Sequence, residues 1–132
     1  MSRYQVLIDS SVWVSYFKNG QPEVIDRLIL EDLVCVNEII FTELAPVLQK
    51  QNEMSALEGL AALERVPLNI DWEIIRKYQL MNLQNGINHV GIPDLIILQQ
   101  VIDQKLTLFS FDKHFRLMQD HLNFDLFDPP SM

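Results

Sequence analysis

Short apolar runs, each too brief for a helix, alternate along this chain with longer stretches of helical periodicity, and that alternation most limits its fold. Val6-Leu7-Ile8, Leu33-Val34-Cys35-Val36 and Leu106-Thr107-Leu108-Phe109 are such runs. Their near-continuous apolarity suits strands buried on both faces, unlike the every-second pattern of a strand with one wet face. The first run extends back to Tyr4. Between the runs, Ser10 and Ser11 can cap a helix through Phe17, and Gly20 breaks it. Pro22 suits the first position of a second helix ending near Glu31, with Val24, Ile25, Leu28 and Ile29 on one stripe. Asn37 can cap a third, bearing Ile39, Ile40, Glu43, Leu44, Val47 and Leu48, with Pro46 placed to kink it.

Met54 to Leu63 is rich in good helix formers, Asp71 can cap Trp72 to Met81, and Pro93 opens Asp94 to Gln104. Asn82 to Gly91 reads as a loop and Lys113 to His121 as a last helix. Val66-Pro67-Leu68 reads as an edge strand, and Phe124 to Phe127 as a final short one. Strand and helix in alternation specify the α/β class, with a mainly parallel central sheet covered on both faces. A chain of 132 residues, 48% of them apolar, can bury one substantial core but hardly two, so residues 1–132 are expected to form a single domain.

The longest apolar stretches, such as Leu95 to Leu98, fall far short of the roughly 20 residues that span a bilayer. No basic amphipathic or apolar leader follows Met1, so a soluble cytoplasmic protein without a membrane partner is expected. Cys35 is the only cysteine, which excludes an intramolecular disulfide and suits a small buried hydrophobe. A net charge of −8 opposes simple nucleic-acid binding, because phosphate backbones are usually met by a basic surface. A site that gathers carboxylates around a cation inverts the sign locally, so a nuclease stays open. The absence of His-x-Glu, paired-Cys or Gly-rich phosphate motifs argues against a zinc enzyme or a nucleotide kinase.

Four acids stand out by position. Asp9 ends the first apolar run, Asp112 follows the run Leu106 to Phe109 closely, and Asp94 follows Pro93 at a helix start. Each also suits a cap or a turn. Glu43 is set apart because it lies among Ile40, Phe41, Leu44 and Val47, where an unpaired buried carboxylate is costly; a solvent-facing Glu is its alternative. In open parallel sheets ligands gather beyond the carboxyl ends of the strands, where Asp9 and Asp112 fall. Brought together, the four would raise one another's pKa values and call for a cation.

The opening Val6-Leu7-Ile8-Asp9-Ser10-Ser11-Val12-Trp13, then Thr42-Glu43-Leu44, Ile92-Pro93-Asp94-Leu95-Ile96-Ile97 and Leu106-Thr107-Leu108-Phe109-Ser110-Phe111-Asp112-Lys113-His114-Phe115, taken in order, resemble the PIN-domain nucleases. Within that family the likeness is to the VapC-type toxin ribonucleases of toxin-antitoxin pairs. It covers nearly the whole chain. The resemblance implies a PIN-like three-layer α/β/α domain, with Asp9, Glu43, Asp94 and Asp112 at the acidic catalytic and metal positions and Ser11 and Ser110 as small hydroxyl residues beside them. It further implies RNA as substrate, a small VapB-like antitoxin as partner, and a homodimer. The chain departs from the family pattern at Leu95, Ile97 and Phe111, the last standing where a polar or basic residue is common.

The chemistry gives the same set a physical reason. Mg²⁺ or Mn²⁺ takes hard oxygen ligands and retains waters, so a few carboxylates suffice to hold it beside a phosphodiester. On that reading Asp9 and Asp94 are the principal ligands, Glu43 ligates directly or through water or orients the attacking water, and Asp112 completes the shell or binds a second, weaker ion. His89, Lys113, His114 and Arg116 are candidates for phosphate or proton contacts, though polar residues at such places are more often merely solvated; Arg116 could pair with Asp112 or grip the scissile strand. Two other classes are weighed: a non-catalytic PIN-like binding domain, and a module with Asp9 as phosphoacceptor, for which Ser11 stands where an Asp-x-Asp enzyme needs its second acid. Apolar residues such as Trp13, Phe17, Leu57, Leu60 and Leu63 read as core first, and as a dimer face or antitoxin groove second.

Overall fold

The computed structural model describes residues 5–128, and in it the apolar runs become neighbouring strands. They are β1 (Val6–Ile8), β2 (Val34–Val36), β3 (Glu64–Arg65), β4 (Thr107–Phe109) and β5 (Asp125–Leu126). The sheet has the order β3-β2-β1-β4-β5, and all of its pairs are parallel. Val6 stands opposite Val34 on one side and Thr107 on the other, while Ile8 faces Phe109. All residues of β1 and β2 are buried, as strands covered on both faces require. Tyr4, at the head of the first run, lies outside the described residues.

Parallel neighbours need crossovers, and the helices supply them. Helices α1 (Ser10–Asn19) and α2 (Val24–Leu30) join β1 to β2, and α3 (Glu38–Lys50) and α4 (Met54–Ala61) lead on to β3. From there α5 (Trp72–Gln84) and α6 (Ile92–Asp103) reach β4, and α7 (Lys113–Met118) reaches β5. The ends follow the local chemistry. Gly20 adopts φ 74° and its N–H closes α1 on the Tyr16 carbonyl, a left-handed conformation that glycine takes without strain. Asn37 caps α3 by accepting the Ile40 N–H, and Asp71 caps α5 by accepting those of Glu73 and Ile74.

Several boundaries differ from the sequence reading. Ser10 and Ser11 lie inside the first turn of α1, with Asp9 at the cap position, because their hydroxyls are turned to carboxylates rather than to the helix end. Pro22 precedes α2, its carbonyl accepting the Ile25 N–H, so the helix begins at Val24. Helix α5 continues past Met81 because Asn82 is buried and hydrogen-bonds His121 Nε2 at 2.7 Å. The C-terminal helix stops at Met118, short of His121.

The edge strand is Glu64–Arg65, and Val66-Pro67-Leu68 is not part of it. Buried glutamines on α6 hold that segment instead: Gln100 Nε2 donates to the Val66 and Pro67 carbonyls, each at 3.1 Å, and Gln99 Nε2 to the Asn69 carbonyl at 3.0 Å. Gln100 also accepts from Asn37 Nδ2 at 2.8 Å, tying the start of α3 to the middle of α6. Helix α6 is buried continuously from Leu95 to Val101. Its apolar residues share a core with Leu7, Ile8, Val36, Trp13, Leu108 and Phe109. Among the described residues, no helix is long and apolar enough to cross a membrane.

Candidate active site

Ile8 and Phe109 are partners in the parallel ladder, so the residues that follow them, Asp9 and Ser110, leave the sheet side by side at its carboxyl end. The backbone continues the pairing for one more step, with the Asp9 N–H donating to the Phe109 carbonyl at 2.8 Å. Asp9 is 6% exposed, and a carboxylate so deep needs partners. Ser110 Oγ donates to its Oδ2 at 2.8 Å and Ser11 Oγ to the same oxygen at 3.1 Å. Both hydroxyls are used twice: Ser110 Oγ accepts the Asp112 N–H at 3.0 Å and Ser11 Oγ accepts the Phe111 N–H at 3.1 Å. The end of β1, the first turn of α1 and the turn after β4 are thus stitched around one carboxylate.

Asp112 caps α7, its Oδ1 accepting the His114 N–H at 2.9 Å, and the His114 ring Nδ1 lies 3.1 Å from the same oxygen. Glu43 comes from α3, and Ser10 Oγ donates to its Oε1 at 3.0 Å. Asp94 stands in the first turn of α6, where Pro93 fits the helix start. Burial first, then the charges of Asp9, Asp112 and Glu43, push the Asp94 carboxyl up from 3.8 to about 6; His114 pulls weakly the other way. A shift with those causes requires that the other carboxylates lie near Asp94. The acids drawn from four separate segments therefore share one electrostatic site.

The site differs in part from the sequence reading. Glu43 is exposed, not buried, so hydrophobic surroundings do not explain it; its bond to Ser10 and its charge on Asp94 place it at the site. Ser10, read as a cap, was missed as a site residue, and its only signal was a hydroxyl adjoining Asp9. Arg116 faces Asp128 at 3.7 Å and does not pair with Asp112. His89 is exposed in the segment between α5 and α6 with φ 69°, whereas His114 joins the acids. Lys113 begins α7, exposed.

In donor chemistry the set suits a hard divalent cation: all are carboxylate oxygens, and Asp9 Oδ1 and Asp112 Oδ2 accept no hydrogen bond among the described residues. Also among the described residues, no three His, Cys, Asp or Glu side chains close into a ready metal cage. An ion that keeps most of its waters does not need one. Grooves flank the acids on two sides. One, of about 650 Å³, is lined by Ser10, Val14, Phe17, Glu43, Leu44 and Val47; the other, of about 340 Å³, by Ser110, Phe111, Asp112, Lys113, Arg116 and Leu117. Trp13 is buried core beneath the first, stacked on the partly buried Phe17.

The sequence profile of the PIN domain matches residues 6–120. Among curated protein sequences none matches the chain. Solved structures share the fold. VapBC2 from Rickettsia felis, bound to a DNA fragment from its promoter, superposes with a TM-score of 0.73 at 18% identity, covering 93% of this chain and 98% of that one. DNA-bound VapBC from Salmonella typhimurium gives 0.71 at 17% identity, over 86% and 91% of the two chains. VapC20 from Mycobacterium tuberculosis, a sarcin-ricin loop cleaving toxin, gives 0.59 at 13% identity, over 85% and 93%.

Proposed function

This chain belongs to the PIN domain family, and from that premise we propose that it is a Mg²⁺- or Mn²⁺-dependent endoribonuclease, the cytoplasmic toxin of a VapBC-type toxin-antitoxin pair. The observation that carries the reading is the joining of Asp9, Glu43 and Asp112 through the hydroxyls of Ser10, Ser11 and Ser110, beside Asp94, whose pKa is raised first by burial and then by the charges of Asp9, Asp112 and Glu43. A carboxyl held up to about 6 by burial and by neighbouring carboxylates is costly to the fold at neutral pH, and a divalent cation would offset that cost.

Asp9 and Asp94 are the principal ligands in this account. Asp9 keeps one oxygen for the ion because Ser11 and Ser110 both take the other, fixing its orientation. Asp112 is aimed in the same way, with Oδ1 committed to the α7 cap and His114. Glu43, more open to solvent, would ligate through water or orient the attacking water. A bound ion would lower the pKa of a coordinated water and neutralise charge on the attacking and leaving oxygens of the phosphodiester.

The structural relatives named above include toxin-antitoxin complexes and a cleaving toxin, which supports the partner as well as the chemistry. The larger groove, beside Glu43 and walled by Val14, Phe17 and Val47, suits the apolar face of an antitoxin segment. A basic residue from that partner among the carboxylates would replace the cation electrostatically. Such inhibition must weaken in excess Mg²⁺. A second copy of the chain as homodimer partner completes the proposed assembly.

Purified protein is expected to cut single-stranded RNA when Mg²⁺ or Mn²⁺ is supplied and to stop when it is chelated. Asp9→Asn and Asp94→Asn should abolish cleavage. Full metal-dependent activity in either variant would refute the assignment.

A further inference from the structure

Phe111 is a large aromatic residue set between two residues of the acidic site, Ser110 and Asp112, and yet it is 53% exposed. Half of the ring is left in water, which forgoes much of the gain from burying it. Its position is nonetheless firmly held. The N–H of Phe111 donates to Ser11 Oγ at 3.1 Å, and the next residue's N–H donates to Ser110 Oγ at 3.0 Å. The ring packs edge-to-face on Phe109, with centroids 5.9 Å apart and planes at 89°; Phe109 is itself buried and packed on Phe127. An exposed ring on a rigid mount differs from a flexible surface side chain.

Two basic side chains share its groove. The groove of about 340 Å³ that Phe111 lines also holds Lys113 and Arg116, both exposed. In a chain of net charge −8 with 10 Lys and Arg in all, two of those cations line this groove beside the exposed ring, set against the carboxylates of Asp112 and Asp128. Among the described residues, Arg116 is engaged only at 3.7 Å with the exposed Asp128, a contact weak enough to yield to a phosphate. An aromatic face beside paired cations is the arrangement that grips one nucleotide of a single strand, the base stacking on the ring and the phosphate meeting the cations.

We propose that Phe111 is the stacking platform for a base adjoining the scissile phosphate of single-stranded RNA, with Lys113 and Arg116 holding the neighbouring phosphate in the same groove. The inference rests on the nuclease reading above, and it adds a positioning residue outside the four acids. Stacking would hold the strand by its base as well as by its backbone.

The test uses Phe111→Ala, Phe111→Leu and Phe111→Tyr in the full chain. For cleavage of a short single-stranded RNA, Ala and Leu should raise KM on the order of 5- to 100-fold with kcat nearly unchanged, and Tyr should match wild type. Leu keeps the apolar bulk and removes the ring, so a merely structural role would leave it close to wild type. Melting temperatures of all three variants should stay near that of the parent. Independently of cleavage, anisotropy of a labelled oligonucleotide is measured in the Asp94→Asn background. There Phe111→Ala should weaken binding by the same factor, and Lys113→Gln with Arg116→Gln should flatten its salt dependence. Unchanged KM and unchanged binding in Phe111→Ala and Phe111→Leu would overturn the proposal while leaving the nuclease reading intact. Absence of cleavage by wild type, with a Phe111-dependent binding signal preserved, would overturn the nuclease reading and leave the platform. No binding by the Asp94→Asn protein would overturn the platform.

Discussion

Ser110 Oγ reaches Asp9 Oδ2 at 2.8 Å across the join of two parallel strands, although the two residues are 101 positions apart in sequence. One hydroxyl thereby fixes a carboxylate at the end of β1 and, through the Asp112 N–H, the turn that presents a second. Ser110→Ala is expected to cost about 1 kcal/mol of stability, the usual net value of such a bond. The larger effect should be on metal-dependent cleavage, through kcat, because Asp9 loses its orientation. Ser110→Thr, which keeps the hydroxyl, should recover most of it. Unfolding curves and steady-state kinetics on both variants check this; equal activity in Ala and Thr would speak against orientation as the role.

Asp94 makes the fold pH-sensitive in a direction that can be worked out. Its carboxyl is raised from 3.8 to about 6, so between these values the folded chain binds more protons than the unfolded one. Stability therefore falls as pH rises through that window, and the penalty is complete above about 6. Because Asp94 is only partly buried, solvent screening trims the effect to on the order of 1 kcal/mol. Asp94→Asn should raise the metal-free melting temperature at pH 7.5, flatten its dependence on pH from about 4 to 6, and abolish most of the stabilisation by Mg²⁺. Thermal scans with EDTA and with Mg²⁺ decide it. A metal-free Asp94→Asn protein less stable than wild type at pH 7.5 would contradict the electrostatic account.

Gln100 bridges Asn37 to the Val66 and Pro67 carbonyls in the interior. Truncation leaves several buried polar groups without partners, each costing about 1–3 kcal/mol. Gln100→Ala should therefore lower stability by more than an exposed substitution such as Leu30→Ala, which should change it by less than about 0.5 kcal/mol. Equilibrium denaturation in urea is the measurement. Similar midpoints for the two variants would mean that the network contributes little.

Much of the sheet was legible in the sequence because its central strands are continuously apolar, a pattern that only double burial explains. Val6 to Ile8, Val34 to Val36 and Thr107 to Phe109 fall inside the expected runs. The edge was not legible, because Glu64 and Arg65 are polar and the apolar Val66-Pro67-Leu68 beside them answers to glutamines distant in sequence. At the site, the backbone positions of Asp9, Asp94 and Asp112 followed from strand ends and a helix start. The contribution of Ser10 and the exposure of Glu43 did not, since both depend on how α1 and α3 face each other. Periodicity reports which face of a helix is apolar, but a polar residue beside that face goes to water or to a site according to its neighbour.

The central claim is that Asp9, Glu43, Asp94 and Asp112 form a divalent-cation site with Asp9 and Asp94 as its principal ligands. Calorimetric titration of Mn²⁺ into metal-free protein at pH 7.5 tests it most directly. The account predicts saturable binding by wild type, lost or weakened by at least about tenfold in Asp9→Asn and in Asp94→Asn. Undiminished Mn²⁺ affinity in both variants, or no binding by the wild-type protein, would contradict it.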